Sequence, residues 1–169
     1  MRESVLESPR EGAPLVARPR AFDTIVLGGL VVAILDGLFA FTYYGLILGV
    51  KPLRIFQSVA AGLLGTDSFS GGVKTFVLGL LLHLVVATCI ATVFYLASLK
   101  LPILLQHAVV SGLIYGVIAY LVMKFVVTPL SAIGRRPVPR LSIFLTEMIG
   151  HAFLVGLPIA LVARRSSRR

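Results

Sequence analysis

The sequence predicts an all-α membrane protein with four transmembrane helices in a compact bundle and a short interfacial helix between the first two. Of its 169 residues, 57% are hydrophobic and 14% are charged, whereas about 25% of a typical soluble domain is charged. Four apolar runs each reach the roughly 20 residues that a helix needs to cross a hydrocarbon core. None of these runs alternates with a period of two, so strands are not expected.

The four apolar runs define the domain organisation. We expect transmembrane helices at 24–48, 75–98, 108–128 and 142–163, within one membrane domain at 23–165. The first run is longer than the roughly 7–15 apolar residues of a cleavable signal peptide, so it should remain as an anchor. Residues 1–22 are polar and proline-containing, which predicts a mobile cytoplasmic tail. Residues 166–169 are predicted as a basic C-terminal tail.

The segment PLRIFQSVAAGLLG lies in the first connection and begins with Pro52, a residue suited to a first helical position. Its larger apolar residues share one helical face, and its polar residues lie off that face. The apolar set is Leu53, Phe56, Ala60, Leu63 and Leu64, and the polar set is Arg54, Gln57 and Ser58. This pattern predicts an amphipathic helix in the membrane interface, with a re-entrant excursion of residues 52–64 as the alternative.

The net charge of +9 comes from basic residues that flank the apolar runs. This placement indicates membrane topology and contact with lipid head groups, and it argues against a nucleic-acid partner. With both termini on one side, that side carries nine Lys and Arg residues, and the other carries six plus Lys124 near a helix end. We therefore expect a multi-pass protein of the bacterial inner membrane with cytoplasmic termini.

Small residues recur at every fourth position in all four predicted spans, as in Gly29, Ala33 and Gly37 of the first. In lipid, close backbone approach through small side chains promotes helix association. Gly112 and Gly116 form a GxxxG motif in the third span that suits either packing within the bundle or self-association. The expected partners are therefore membrane lipids and other membrane protein subunits.

Three polar residues within the spans form the candidate site: Asp36, His83 and His151. An acidic residue at a helix centre costs about 2.5–3.5 kcal/mol on insertion scales, so it needs a partner, a proton or a role. The three side chains are expected at similar depths. They could hold a metal ion, ligate a haem or relay protons. The alternative is that they only link helices through hydrogen bonds and that no cofactor is bound.

Lys124 and Glu147 are expected to form an ion pair near the outer ends of their helices. Pairing would lower the cost of placing both charges in the membrane. The chain shows no catalytic residue pattern: it lacks a Ser-His-Asp order, a glycine-rich phosphate loop and a CxxC motif. We therefore expect a protein without enzymatic activity.

Several stretches carry a resemblance that covers most of the chain outside the first 22 residues. They are LDG (35–37), QSVAAGLLG (57–65), LGLLLH (78–83), YGVIAYLVMKFVVTPLSAIG (115–134) and HAFLVGLPIAL (151–161). On these stretches the chain resembles a group of small, functionally unassigned four-helix bacterial inner-membrane proteins. The resemblance implies the fold and the polar positions, and it implies no activity.

Two functions follow as hypotheses. The first is a non-enzymatic structural or accessory component of a larger membrane assembly, because the chain offers packing surfaces and no soluble domain. The second is a haem- or metal-binding protein, or a proton- or ion-conducting one, built on Asp36, His83 and His151.

Overall fold

A computed structural model describes residues 18–168, and this part of the chain is helical with no strand. Four helices are long and apolar enough to cross a membrane, as predicted: α1 (Asp23–Ile47), α3 (Gly72–Lys100), α4 (Ala108–Leu130) and α5 (Leu141–Ser166). Between α1 and α3 lies the shorter α2 (Pro52–Leu64).

The end of α5 lies inside the predicted C-terminal tail. Ser166, the first residue of the predicted C-terminal tail, is the last residue of α5 and is buried. Its hydroxyl lies 3.4 Å from the Thr24 hydroxyl, so the start of α1 and the end of α5 meet at one end of the molecule. Residues 1–17, most of the predicted N-terminal tail, lie outside the described residues, and so does Arg169.

The helix predicted over 53–64 is present as α2, and its protein-facing side includes Gln57, which the sequence pattern placed off the apolar face. Gln57 is only 1% exposed, and Leu53 and Leu63 are exposed. The Gln57 amide donates to the Gly72 carbonyl at 3.0 Å and to the Thr75 hydroxyl at 3.1 Å. A buried amide is tolerated because these acceptors replace its water. Packing against the start of α3 therefore selects the buried face of α2.

The small-residue stripes lie between helices of the same chain. A Cβ added to Gly112 would lie 2.8 Å from the Leu157 Cα, and one added to Gly116 would overlap the His151 carbonyl oxygen. Both glycines therefore allow the α4 and α5 backbones to touch. The GxxxG motif therefore serves packing between helices of one chain.

The apolar core fills the end of the molecule where α1 starts and α5 finishes. Phe94 and Ile159 are its largest fully buried side chains, and they pack with small residues of neighbouring helices such as Ala91 and Ala160. The opposite end contains a cavity and the polar residues described next.

Candidate ligand cavity

A cavity of about 750 Å³ lies at the end opposite the apolar core and is lined by residues of all five helices and of the connection between α4 and α5. Most of its lining is aliphatic or aromatic, with Ile55, Leu82, Val86 and Met123 among the contributors. Its ionisable lining residues come from five separate segments of the chain, and they are Asp36, Tyr44, Arg54, His83, Arg136 and Glu147. An apolar pocket with a few convergent polar groups is the usual form of a small-molecule site.

Asp36 faces this cavity from the middle of α1 and is partly buried. Within residues 18–168 its carboxylate makes no hydrogen bond and no ion pair. At about 1.5 Å per residue, it lies about 16 Å from the end of α1 at Ile47. An acidic group at this depth without a protein partner is available to a ligand, to water or to a proton.

His83 lines the same cavity from α3 and connects that helix to α1. Its Nε2 lies 3.0 Å from the Ala33 carbonyl oxygen. Because a carbonyl only accepts, Nε2 carries the hydrogen and Nδ1 of the neutral ring remains an acceptor. The Phe56 ring packs at 5.5 Å between centroids and holds the imidazole from the α2 side. Asp36 and His83 are therefore brought to one site, as two members of the predicted polar cluster.

His151 does not line the cavity. Its Nδ1 donates to the Glu147 carbonyl of its own helix at 2.9 Å, and its ring packs on Tyr120 at 5.1 Å between centroids. Among residues 18–168, no three His, Cys, Asp or Glu side chains come close enough to hold a metal ion together. The predicted three-residue cluster is thus divided between a cavity pair and a separate histidine.

Glu147 is the most highly bonded polar side chain near the cavity. The Lys124 Nζ lies 3.6 Å from its Oε2, so the structure brings the predicted ion-pair partners together. The Tyr120 hydroxyl donates to Oε2 at 2.6 Å, and the Tyr44 hydroxyl donates to Oε1. Two hydroxyl donors and one nearby ammonium group offset the cost of burying the charge of this carboxylate.

The two tyrosines are absent from the sequence prediction. Tyr120 was detectable, because it lies four residues before Lys124 and therefore shares a helical face with it. Tyr44 gave no such signal, since nothing local distinguishes it from Tyr43. It comes from the opposite side of the site, and only the packing of α1 against α5 brings it to Glu147.

Widened π-helical turns present several of these side chains. One spans Phe41–Ile47 and carries Tyr44, and another spans Met123–Val127 and carries Lys124. The second precedes Pro129, which cannot donate to the preceding turn. The Thr128 hydroxyl donates to the Met123 carbonyl at 2.8 Å, so this carbonyl of the π turn has a hydrogen-bond donor. A π turn changes the angle between residues on either side of it, so it re-aims side chains at a site.

Two exposed arginines complete the cavity lining at its outer end. Arg54 belongs to the first turn of α2, and Arg136 belongs to the connection between α4 and α5. The Arg54 guanidinium lies 5.9 Å from the centre of the Phe69 ring. The single ion pair within residues 18–168 is Lys124–Glu147, so neither arginine is neutralised by a described carboxylate.

Comparisons with protein-family models, with curated proteins and with solved structures find no match for this chain. The proposed function is therefore inferred from the residues that line the cavity.

Proposed function

We propose that this chain is a non-enzymatic membrane protein that binds a ligand in the cavity lined by Asp36 and His83. One observation carries the proposal. The Asp36 carboxylate faces an apolar cavity of about 750 Å³ without a hydrogen-bond or ion-pair partner in the described part of the chain. A carboxyl group in an apolar setting is costly unless a partner satisfies it, and a ligand in the cavity would supply one.

The size and the lining of the cavity support a ligand larger than a few water molecules. Ligand pockets typically span about 300–1,000 Å³ and are mostly apolar, with few polar groups that orient the ligand. Here Asp36 offers acceptor oxygens, and His83 offers a free Nδ1 because its Nε2 is bonded to the Ala33 carbonyl. Both groups favour a ligand that presents a hydrogen-bond donor toward α1 and α3.

Binding is better supported than conduction. A conducting protein needs a polar route through the whole membrane, and the core around Phe94 and Ile159 fills the other end of the molecule. A haem held by two histidines is also less well supported, because His83 lines the cavity and His151 does not.

Filling the cavity tests the proposal. Val86 lines the cavity on α3, and its neighbour Val85 is 55% exposed on the outer surface. We expect Val86→Phe to remove most of any bound mass that native mass spectrometry detects on the purified full-length protein. Val85→Phe is the matched control and should retain that mass, because it adds the same ring outside the cavity. Equal occupancy in both variants contradicts a cavity ligand.

The broader role that we propose is an accessory component of a larger membrane assembly in the bacterial inner membrane, with both termini cytoplasmic. The charge distribution of the sequence supports the orientation. The meeting of Thr24 with Ser166 supports a common side for the termini. A ligand-binding accessory protein needs no catalytic residues, in keeping with the absence of a catalytic motif from the sequence. Cross-linking in intact cells, followed by identification of membrane proteins joined to α2, tests the assembly role.

A further inference from the structure

Among the basic residues near the cavity end of the molecule, Arg54 and Arg136 are the two that line the cavity. They come from segments far apart in the sequence, so the fold, and not a local charge run, places them at one opening. Both are exposed, and neither forms an ion pair with a described carboxylate. Their guanidinium groups present planar arrays of donors that match phosphate and carboxylate oxygens.

The charged residues of the cavity indicate how a ligand would be oriented in it. Asp36 and Glu147 also line the cavity. Glu147 accepts from two tyrosine hydroxyls and pairs with Lys124, and Asp36 has no cationic partner in the described part of the chain. A phosphate group is attracted to the arginines, and a hydroxyl group of the same lipid head group can donate to the Asp36 carboxylate. The aliphatic side chains that make up most of the lining suit a hydrocarbon chain.

We infer that the cavity binds an anionic membrane lipid, with the lipid phosphate at Arg54 and Arg136 and an acyl chain among Ile55, Leu82 and Val86. This inference rests on the proposed ligand-binding function and adds the chemical class of the ligand. Lipids of the bilayer have the matching polarity, because each combines a phosphate head group with hydrocarbon chains. The head group would lie at Arg54 and Arg136, and a chain would lie in the aliphatic part of the cavity.

The test compares lipid binding to the full-length protein in detergent by native mass spectrometry, with phosphatidylglycerol and phosphatidylcholine as probes. The variant R54Q/R136Q removes both charges at the cavity. The control variant K51Q/R135Q removes two charges from exposed neighbours that do not line the cavity. Net charge is the same in both variants, so a general electrostatic effect is matched.

We expect the wild-type protein and K51Q/R135Q to prefer phosphatidylglycerol by about tenfold or more, because the choline cation of phosphatidylcholine offsets the attraction of its phosphate to the two arginines. R54Q/R136Q should bind the two lipids within about twofold of each other. An unchanged preference in R54Q/R136Q overturns the inference, as does a wild-type protein without preference. Competition by inorganic phosphate at concentrations similar to those of the lipid would assign the site to free phosphate and also overturn it.

Val86→Phe separates this inference from the proposed function. If Val86→Phe abolishes binding of both lipids and R54Q/R136Q leaves the preference intact, the cavity ligand stands and the arginine assignment fails. If Val86→Phe changes nothing and R54Q/R136Q removes the preference, the lipid lies on the outer surface, and both the cavity function and the inferred binding pose are wrong.

Discussion

Asp36 and Glu147, two acidic residues of the long helices, have opposite environments, and this difference supports different proposed roles for them. Glu147 accepts from Tyr44 and Tyr120 and pairs with Lys124 at 3.6 Å. Asp36 has no such partners within residues 18–168 and faces the cavity. Saturating a buried carboxylate with donors makes it part of the packing, whereas an unsaturated one remains available for binding. We therefore expect Glu147 to contribute to stability and Asp36 to contribute to binding of the proposed ligand.

Glu147→Ala should destabilise the protein, because it leaves Lys124 and two tyrosine hydroxyls without their common acceptor. The expected loss is about 1–3 kcal/mol, the cost of unsatisfied buried polar groups. Lys124→Met should cost less, since both tyrosines still donate to Glu147. Thermal unfolding of the detergent-solubilised variants, followed by loss of helical circular dichroism, measures both effects. A Glu147→Ala variant as stable as the wild type would show that this network contributes nothing.

Asp36→Asn should affect ligand binding and not stability, the opposite of Glu147→Ala. We expect little change in thermal stability, because the carboxylate makes no bond to the described chain. Ligand occupancy in native mass spectrometry should fall, because the substitution removes the charge but preserves the shape. His83→Ala is the comparison, since it also breaks the bond to the Ala33 carbonyl and should lower both stability and occupancy. A large loss of stability in Asp36→Asn would contradict the assignment of Asp36 to the ligand.

At the level of elements, the contact between α2 and α3 determines the shape of the cavity. The two backbones meet at Gly79, where an added Cβ would overlap the Phe56 carbonyl oxygen. This close approach presses Phe56 against His83, with 5.5 Å between ring centroids. It also places Gln57 within reach of Gly72 and Thr75. A single small residue therefore controls the position of the cavity wall that α2 supplies.

Gly79→Ala should force α2 away from α3, because its steric conflict is with backbone atoms that cannot rotate aside. Overpacking of this kind costs about 1–3 kcal/mol. Gly28→Ala is the matched control in α1, where an added Cβ meets its nearest atom at 3.8 Å. It should be neutral or stabilising by up to about 1 kcal/mol, from the higher helix propensity of alanine. Thermal unfolding of the two variants compares them, and equal stability would contradict the close approach of α2 to α3 at Gly79.

At the level of the whole molecule, four long helices place both ends of the described chain on one side. The hydrogen bond between Thr24 and Ser166 joins the first and last helices at that end. The cavity lies at the opposite end, near α2 and the connection that follows α4. In the orientation favoured by the charge distribution, the cavity faces the non-cytoplasmic side.

Cysteine labelling in a Cys89→Ala background tests this topology with exposed positions. Arg18→Cys and Arg168→Cys should react with an impermeant reagent only after the membrane is opened, because both sites are expected in the cytoplasm. Pro137→Cys, in the connection between α4 and α5, should react in intact spheroplasts. Opposite sides for Arg18 and Arg168 would exclude an even number of crossings, and reaction of both in intact spheroplasts would reverse the proposed orientation.

The sequence by itself determined the elements. Backbone groups in lipid must be satisfied within their own segment, so an apolar run of sufficient length identifies a spanning helix without knowledge of its neighbours. The Lys124–Glu147 contact was also predictable, because burial in a membrane favours pairing of opposite charges at similar depths. Helical periodicity predicted α2 as well, but it did not indicate that Gln57 would be buried against α3.

Only the tertiary structure decided which polar residues share a site. It brings Asp36 and His83 to one cavity with Arg54 and Arg136, and it leaves His151 outside the lining. The local sequence does not distinguish His83 from His151 as a cavity residue. Position along a helix predicts depth in the membrane, but it does not predict which way the side chain points about the helix axis. That direction depends on π turns, on close contacts at glycines and on the position of α2. Each of these is set by atoms from segments distant in the chain, and for this reason the cavity could not be predicted from the sequence.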